Sequence, residues 1–370
     1  MTTNKSPSYV TGRMTKIRKA LGPVAVVITA LAFCLPSLSA LADEVAQRLD
    51  DSDRRNLMPD EKGTFTFIWE NDTFGGTDRN YTNGNRISYL SPTQRLGADA
   101  SKAARLLLDA DGTDNIRFGL AAGHSIFTPE DIEATQPLPD QHPYAGYLYG
   151  EVALQVERPQ ALDTLTLQLG IVGDAALGEQ VQNNFHKLIG VDEANGWDNQ
   201  LANEPALLIS YDRSFRSVFD WQGAEDDLFD GYGFDITPSA GFSVGNVLTQ
   251  AQLGVTFRFG QDLRNDFGPP RVRPALAGGG FFDPKDDFSW YVFGGVVGRA
   301  VGYNIFLDGN LLRSGGPSVD RRPLVADFQV GVAMQVRGVQ LAYTYVTRTE
   351  EFMTQGGRQQ FGAFSISAKF

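Results

Sequence analysis

The chain is short of cysteine, histidine and basic residues. It has one cysteine and three histidines in 370 residues, with 32 Lys and Arg against 44 Asp and Glu, for a net charge of −12. A single cysteine excludes an intramolecular disulfide, and with it the small secreted domains that depend on disulfides. The acidic excess argues against a nucleic-acid-binding protein, because phosphate contacts require clustered Lys and Arg.

Long hydrophobic runs are also missing. Hydrophobic residues make up 42% of the chain, yet no segment after residue 42 reaches the ~18 consecutive apolar residues of a transmembrane helix. The N-terminus has a basic stretch at 13–19, an apolar stretch at 24–35 and a small-x-small sequence at 40–42. This order predicts a secretory signal peptide over residues 1–42, followed by a periplasmic leader over residues 43–62.

Removal of the signal peptide would leave a cysteine-free and more acidic chain. Cys34 and five of the Lys and Arg residues, but no Asp or Glu, lie in residues 1–42, so 27 basic and 44 acidic residues remain, a net charge of −17. Export without disulfides fits the envelope of a Gram-negative bacterium. Bound divalent cations would explain how so acidic a protein faces an anionic membrane surface.

Apolar and polar residues alternate with period two over most of the chain. Leu165, Leu167 and Leu169, for example, alternate with threonine and glutamine. Both a soluble sandwich and an outer-membrane barrel produce this pattern. The barrel is favoured because the segments run ~10–13 residues, enough to cross a bilayer with tilt, against ~5–6 for ordinary strands. The last alternating segment also ends on an aromatic residue, Phe370.

We therefore predict an all-β protein, a transmembrane antiparallel barrel of twelve strands over residues 63–370, an even number as in bacterial barrels. Residues 288–309 are taken as one long strand. The predicted strands are 63–71, 81–91, 114–125, 144–157, 161–173, 204–215, 231–245, 248–261, 288–309, 324–337, 339–349 and 359–370.

The strand order assigns the chain's unusual motifs to one rim of the barrel. With both termini in the periplasm, the loops 72–80, 126–143 and 174–203 are extracellular. They or their flanking strands hold "WENDTF", "NYTNGNR", "SIFTPED", "QHPYAGYLYG" and "GWDNQLANEP". By strand alternation, Asp72 and Thr82 are expected to face the lumen. Taken alone, "ND" and "YTNG" are ordinary turn signals. The prediction of a functional site depends on the strand order, which brings these motifs to the same rim.

The third loop contains a short amphipathic helix, "ALGEQVQNNFHKLIG", at residues 176–190. Its apolar stripe is Val181, Phe185, Leu188 and Ile189, and its polar face includes Glu179, Gln182, Asn183 and His186. We expect the apolar stripe to pack on the barrel mouth. The polar face would then point along the rim. A lone histidine on such a helix is usually only solvated.

These motifs resemble the outer-membrane lipid A 3'-O-deacylase family (LpxR-like), over residues 63–370, most specifically at 174–205. The resemblance implies a twelve-stranded barrel in the Gram-negative outer membrane, a calcium cofactor, and hydrolysis of an ester-linked acyl chain of lipid A in lipopolysaccharide. A monomer is expected. The implied site residues are Asn71, Asp72, Thr82, Gln182, His186 and Asp192.

The sequence departs from the family in two places. Asp192 stands where glutamate can occur in relatives, which keeps the charge but shortens the reach of the carboxylate. His142 stands in the "PYAG" motif, where many members have arginine. The surrounding loop 126–143 contains no Lys or Arg, although a phosphate-bearing glycolipid would favour cations there. The chemistry is therefore better supported than the identity of the lipid.

The candidate residues suit ester hydrolysis independently of the family resemblance. His186 has the pKa range of a general base, and Gln182 lies one helical turn before it. Asp72 and Asp192 are hard oxygen ligands for Ca²⁺, assisted by Asn71 and the Thr82 region. Calcium would polarise the ester carbonyl. We expect water as the nucleophile, because no serine is predicted at a hydrolase-type elbow.

Several alternatives remain open at this stage. A Ser–His mechanism would need a rim serine such as Ser125. An outer-membrane phospholipase is the alternative enzyme. A porin-like channel or an adhesive barrel is the non-catalytic alternative.

Overall fold

The protein forms a closed, twelve-stranded antiparallel β-barrel with one additional short strand. The computed structural model describes residues 59–76, 79–93, 98–110, 114–216, 218–224, 228, 230–268, 282 and 287–370. The strands are β1 Thr64–Asn71, β2 Asn80–Leu90, β3 Asn115–Thr128, β4 Ala145–Glu157, β5 Ala161–Val172, β6 Glu204–Phe215, β7 Phe219–Gln222, β8 Gly233–Gly245, β9 Leu248–Gly260, β10 Phe288–Asn304, β11 Leu324–Val336, β12 Val339–Arg348 and β13 Gln359–Lys369.

The helices are short and lie at the ends of strands. They are α1 Ala98–Leu108, α2 Gly178–Ile189 and α3 Ile305–Asp308. None of the helices in the described ranges is long and apolar enough to cross a membrane. The predicted signal peptide and all but the last few residues of the predicted leader lie outside the described residues. The described end of the leader is anchored by Asp60, which pairs with Lys369 at 2.6 Å.

All twelve predicted strands are present, and each neighbours the next along the chain. The ring closes where β1 pairs with β13 and β6 pairs with β8. The additional strand, β7, is absent from the prediction because residues 216–230 show no clear alternation. It pairs with the first residues of β8 and thereby extends the wall on the periplasmic side, beyond the end of β6.

The apolar faces of the strands point outward, as the alternation predicts. Phe257, Phe328 and Val330 are 42%, 46% and 59% exposed, whereas Arg258 and Gln329, which adjoin them in sequence, are buried. This arrangement excludes the soluble sandwich, in which these apolar side chains would be packed between two sheets. The barrel therefore presents an apolar surface to lipid.

Ion pairs fill the lumen. Arg258 pairs with Asp235 at 2.5 Å near the periplasmic end, and Arg86 pairs with Glu151 at 2.7 Å farther along. Arg348 donates to Asp327 at 2.8 Å close to the outer mouth. Each arginine is buried or nearly so, and each has a carboxylate partner, as buried charges require.

An apolar cluster closes the outer mouth of the barrel. Part of it comes from the end of the predicted strand 288–309. That predicted end is wrong, because β10 stops at Asn304 and the chain continues as α3. Helix α3 turns Phe306 into the mouth, where its ring stacks on Phe127 at 4.0 Å. Tyr81 and Phe361 join the same cluster. The lumen is thus occupied by side chains from end to end of the described wall.

The filled lumen generates a test of the porin alternative. In planar lipid bilayers, the purified protein should produce no stable ion-conducting steps, because the arginine pairs and the aromatic cluster fill the lumen. A general porin measured in parallel provides the positive control. Reproducible ohmic channels from the folded protein would contradict this arrangement.

Candidate active site

Helix α2 lies on the outer wall of the barrel rather than over its mouth. Gly146 of β4 has the same outward orientation as Leu148, which is 40% exposed. A Cβ atom at Gly146 would lie 3.1 Å from both the Ala176 Cβ and the Gly178 nitrogen. On β3, outward-facing His124 hydrogen bonds through Nε2 to the carbonyl oxygen of Ala176 at 2.8 Å. The start of α2 is therefore held against β3 and β4 from outside.

The side of α2 that faces the wall is polar. Gln182 and His186 are 3% and 5% exposed, whereas Val181, Leu188 and Ile189 are 41%, 82% and 49% exposed. The prediction that the apolar stripe packs on the barrel is therefore wrong. Sequence periodicity identifies two faces of a helix, but it does not state which one meets the protein when the surroundings are lipid.

Trp197 secures the polar face and was not predicted as a site residue. It is 2% exposed, and its ring centroid lies 4.9 Å from that of Tyr144. Its Nε1 donates to Gln182 Oε1 at 3.1 Å. The "GWDNQLANEP" motif, which contains Trp197, was the sequence feature that could have indicated this role. The sequence alone does not distinguish a tryptophan of the membrane interface from one in the site.

The tryptophan contact fixes the orientation of the Gln182 amide. Because the indole N–H is only a donor, the atom it meets must be the amide oxygen. The amide nitrogen Nε2 is then turned away from Trp197. It is buried, and it makes no hydrogen bond within the described part of the chain. A buried amide donor without an acceptor costs ~1–3 kcal/mol, which is tolerated most readily where a ligand completes the bond.

The backbone that follows α2 orients His186. Its Nδ1 lies 2.5 Å from the carbonyl oxygen of Asp192. A carbonyl only accepts, so Nδ1 must carry the hydrogen and Nε2 of the neutral ring is the basic nitrogen. Asp192 thus acts on His186 through its main chain, while its carboxylate side chain is exposed. The length of the side chain at position 192 does not affect this main-chain contact.

The turn after β1 positions Asn71 and Asp72. Asn71 Oδ1 accepts a hydrogen bond from the Thr73 N–H at 2.8 Å and caps a 3₁₀ turn over Asp72–Gly75. Phe74 of this turn lies edge-on to the ring of Trp69, at 5.3 Å, on the outer face. Strand alternation ends at Asn71, so alternation no longer assigns Asp72 to the lumen, and its lumenal orientation stays a prediction. Asp72 is fully buried, and its Oδ2 accepts from the Arg79 N–H at 2.6 Å.

Thr82 also faces outward, contrary to the prediction. A β-bulge between Tyr81 and Asn83 inserts one residue into β2 and reverses the expected orientation. The Thr82 hydroxyl lies 2.7 Å from that of Thr128, which has the outward orientation of Ile126 and His124 on β3. Tyr81, on the other side of the bulge, enters the lumenal cluster. The sequence offers no signal for a bulge of this kind.

The serine alternatives fall on the lumenal side. Ser125 is 1% exposed and alternates with outward-facing His124 and Ile126, so the barrel wall separates it from α2. Ser243 stands in a G-x-S-x-G sequence at 241–245, but this sequence lies inside strand β8 rather than at a strand-to-helix elbow. The Ser243 hydroxyl is 2.9 Å from that of Ser210. Neither serine is placed to act with His186.

His142 belongs to the packing of the outer mouth. Its ring stacks on Phe127 at 5.4 Å, and its Nδ1 donates to the carbonyl oxygen of Pro143 at 2.8 Å. Burial lowers the pKa of His142 below its ordinary value, since desolvation outweighs the hydrogen bond to Pro143. A neutral, stacked ring therefore occupies the position where the family resemblance predicts an arginine.

The predicted residues lie on or next to four neighbouring strands, β1 to β4, and on the helix packed against β3 and β4. We call the outer face of these strands together with α2 the outer-wall site; we assign to it Asn71, Asp72, Thr82, Gln182 and His186, with Thr128 beside Thr82. Asp192 reaches it through its carbonyl group. Within the described ranges, no three His, Cys, Asp or Glu side chains are grouped closely enough to hold a metal ion.

The sequence and fold were compared with known proteins. The profile of a family described as "Outer membrane protein LpxR" matches residues 27–370. The chain belongs to this family. As an LpxR-family barrel, it is located in the outer membrane of a Gram-negative bacterium. No curated protein sequence matches.

Solved structures of outer-membrane barrels are similar to the chain. LpxR from Salmonella typhimurium superposes with a TM-score of 0.64 at 21% identity, covering 83% of this chain and 100% of the other. This likeness establishes the fold. The β-domain of the Bordetella autotransporter BrkA, at 11% identity and a TM-score of 0.41, covers 84% of this chain and 100% of its own.

The close approach of α2 to the wall generates a mutational prediction. A Cβ atom on Gly178 would lie 2.6 Å from the Trp197 ring. Gly178→Val should therefore displace α2 and reduce activity by ~10²-fold or more, because a displacement of about 1 Å has that effect on catalysis. Heat-modifiable migration on gels should stay unchanged, since the barrel strands are untouched.

Gly150→Val is the matched control for Gly178→Val. Gly150 lies on the same outward face of β4, with open space around its Cβ position, so this variant should keep wild-type activity. Equal activity of Gly178→Val and the wild type would show that contact between α2 and the wall is not required.

Proposed function

We propose that this protein is a calcium-dependent esterase that removes an ester-linked 3'-acyloxyacyl chain from lipid A of lipopolysaccharide. One observation carries the proposal. Gln182 and His186 form a buried polar pair between α2 and the lipid-facing wall of the barrel. Family membership supports the substrate class. A site on the outer wall is reached from the outer leaflet, where lipid A lies.

His186 is the proposed general base. Its Nε2 takes a proton from water, and the resulting hydroxide attacks the ester carbonyl carbon. The Asp192 carbonyl oxygen, bonded to Nδ1–H, holds the ring in place and stabilises the imidazolium cation. When the tetrahedral intermediate collapses, the imidazolium returns its proton to the leaving sugar oxygen. The products are a fatty acid and a free hydroxyl on lipid A.

Gln182 is the proposed donor to the oxyanion. Trp197 holds its Oε1, so Nε2–H remains to bond the carbonyl oxygen as negative charge develops there. A preorganised donor is effective in such a water-poor position because it does not have to reorient during the reaction. This role accounts for a buried donor that lacks an acceptor in the described protein.

Calcium is proposed from the chemistry of the donors. The Asp72 carboxylate and the Thr82 hydroxyl are hard oxygen donors, and the exposed Asp192 carboxylate beyond the end of the helix is a third candidate ligand. Asn71 positions Asp72 by capping its turn. Because the described side chains do not form a complete cage, lipid and water oxygens would complete the coordination. A bound calcium ion would polarise the ester carbonyl.

The proposed base generates a direct test. His186→Ala should reduce release of the acyl chain by ~10²–10⁴-fold, the usual contribution of a general base. Gln182→Ala should lose less, about 10²-fold, because it removes one oxyanion donor. The measurement is mass spectrometry of lipid A from cells that express each variant.

Lys187→Ala supplies the control for these variants, since Lys187 is an exposed neighbour on the same helix. Wild-type turnover by His186→Ala would overturn the assignment of the base. Release of fatty acid from phospholipids, with lipid A intact, would identify a phospholipase instead.

The metal proposal has its own test. Asp72→Asn keeps the size of the side chain but removes its charge, so the calcium concentration needed for half-maximal activity should rise by about 10-fold or more. Glu133→Gln, at an exposed position of an extracellular loop, should leave that concentration unchanged. Full activity of the purified wild type in excess chelator would contradict calcium dependence.

A further inference from the structure

Helix α2 has an exposed apolar side that the proposed chemistry does not use. Val181, Leu188 and Ile189 are 41%, 82% and 49% exposed on the helix, and Leu177 and Val191 at its two ends are 50% and 49% exposed. Five exposed apolar side chains within fifteen residues would be unfavourable in contact with water. A surface of this kind is normally covered by another apolar phase.

The opposite side of α2 is held toward the extracellular loops. Asn183 exchanges two hydrogen bonds with the main chain of Ala194, at 3.2 and 2.9 Å. The next residue, Asn195, donates through its N–H to the Ile132 carbonyl oxygen, in the extracellular loop between β3 and β4. The Asn183 side of α2 therefore meets the extracellular loops, and the exposed apolar side chains lie on the opposite side of the helix.

The apolar side of α2 is also continuous with the lipid-facing barrel surface. The helix packs on the outer ends of β3 and β4. Farther along these strands and on β5, Leu120, Leu148, Val152 and Leu169 are 37–57% exposed and face lipid. A helix that lies on this wall with its apolar side toward the membrane has the geometry of an interfacial helix.

We propose that α2 is an interfacial anchor whose apolar side, Val181, Leu188 and Ile189 with Leu177 and Val191, is inserted among the acyl chains of the outer leaflet. The same insertion places the gap between α2 and the wall at the level of those chains. In a consequence that rests on the proposed function, an acyl ester reaches His186 from within the leaflet, without extraction of the lipid into water.

Spin labelling tests the anchor without reference to activity. In a Cys34→Ser background, the folded protein is labelled at Leu188→Cys and reconstituted into vesicles of phosphatidylethanolamine, phosphatidylglycerol and hexa-acylated lipid A. Oxygen, which concentrates in the acyl region, should relax this label several-fold more effectively than a water-soluble nickel chelate does. Leu169→Cys, on the lipid-facing wall, gives the reference value for acyl chains.

Gln180→Cys is the matched control, since it is an exposed position on the polar side of the same helix. Its label should be relaxed mainly by the nickel chelate. If the Leu188→Cys label behaves like that at position 180, the anchor does not exist. This result decides the inference whether or not the protein hydrolyses lipid A, so the two failures are distinguishable.

An activity measurement then tests the consequence. The double variant Val181→Asn, Leu188→Asn should hydrolyse lipid A in vesicles about tenfold or more slowly, because two inserted apolar side chains are lost. In detergent micelles, where the substrate is already dispersed, its rate should equal that of the wild type. Equal losses in vesicles and micelles would show that these residues support the helix rather than its insertion.

Discussion

The outer-wall site depends on the contact between the start of helix α2 and strand β4. A Cβ atom at Gly178 would lie 2.6 Å from the Trp197 ring, so a side chain there would displace the ring or the helix. A Cβ atom at Gly146 would make a tight contact, 3.1 Å, with Gly178. The contact places Gln182 and His186 against the wall and lets Trp197 reach the amide. The positions of the helix and its polar face both follow from it.

A reaction on the outer wall has an energetic advantage for a lipid substrate. Withdrawing an acyl chain from the bilayer costs about 0.8 kcal/mol per CH₂, or about 10 kcal/mol for a chain of roughly a dozen carbons. A lumenal site would require that withdrawal, whereas a site between α2 and the wall does not. The lumen serves stability instead, since its arginines and carboxylates are paired and its mouth is closed by Phe127 and Phe306.

Much of the fold can be predicted from the sequence because strand alternation is a local property. Outward Phe257 and Phe328 are directly followed by polar residues that point inward, so the alternation along the strand distinguishes the lipid-facing side from the lumenal side. The strand number follows from counting these segments. The exceptions, β7 and α3, lie where alternation is weak or where the chain leaves the wall to fill the mouth.

The sequence by itself determined the twelve-stranded wall, the outward apolar faces and the set of residues gathered at the outer rim, because each depends on local spacing and strand order. Only the tertiary structure decided which side of the wall those residues occupy. The bulge at Thr82 and the turn at Asp72 break the alternation that assigned them to the lumen. Helix α2 turns Gln182 and His186 to the protein and leaves Val181 and Leu188 exposed. The orientation of the helix depends on contacts between segments far apart in the chain, so it cannot be predicted from local spacing.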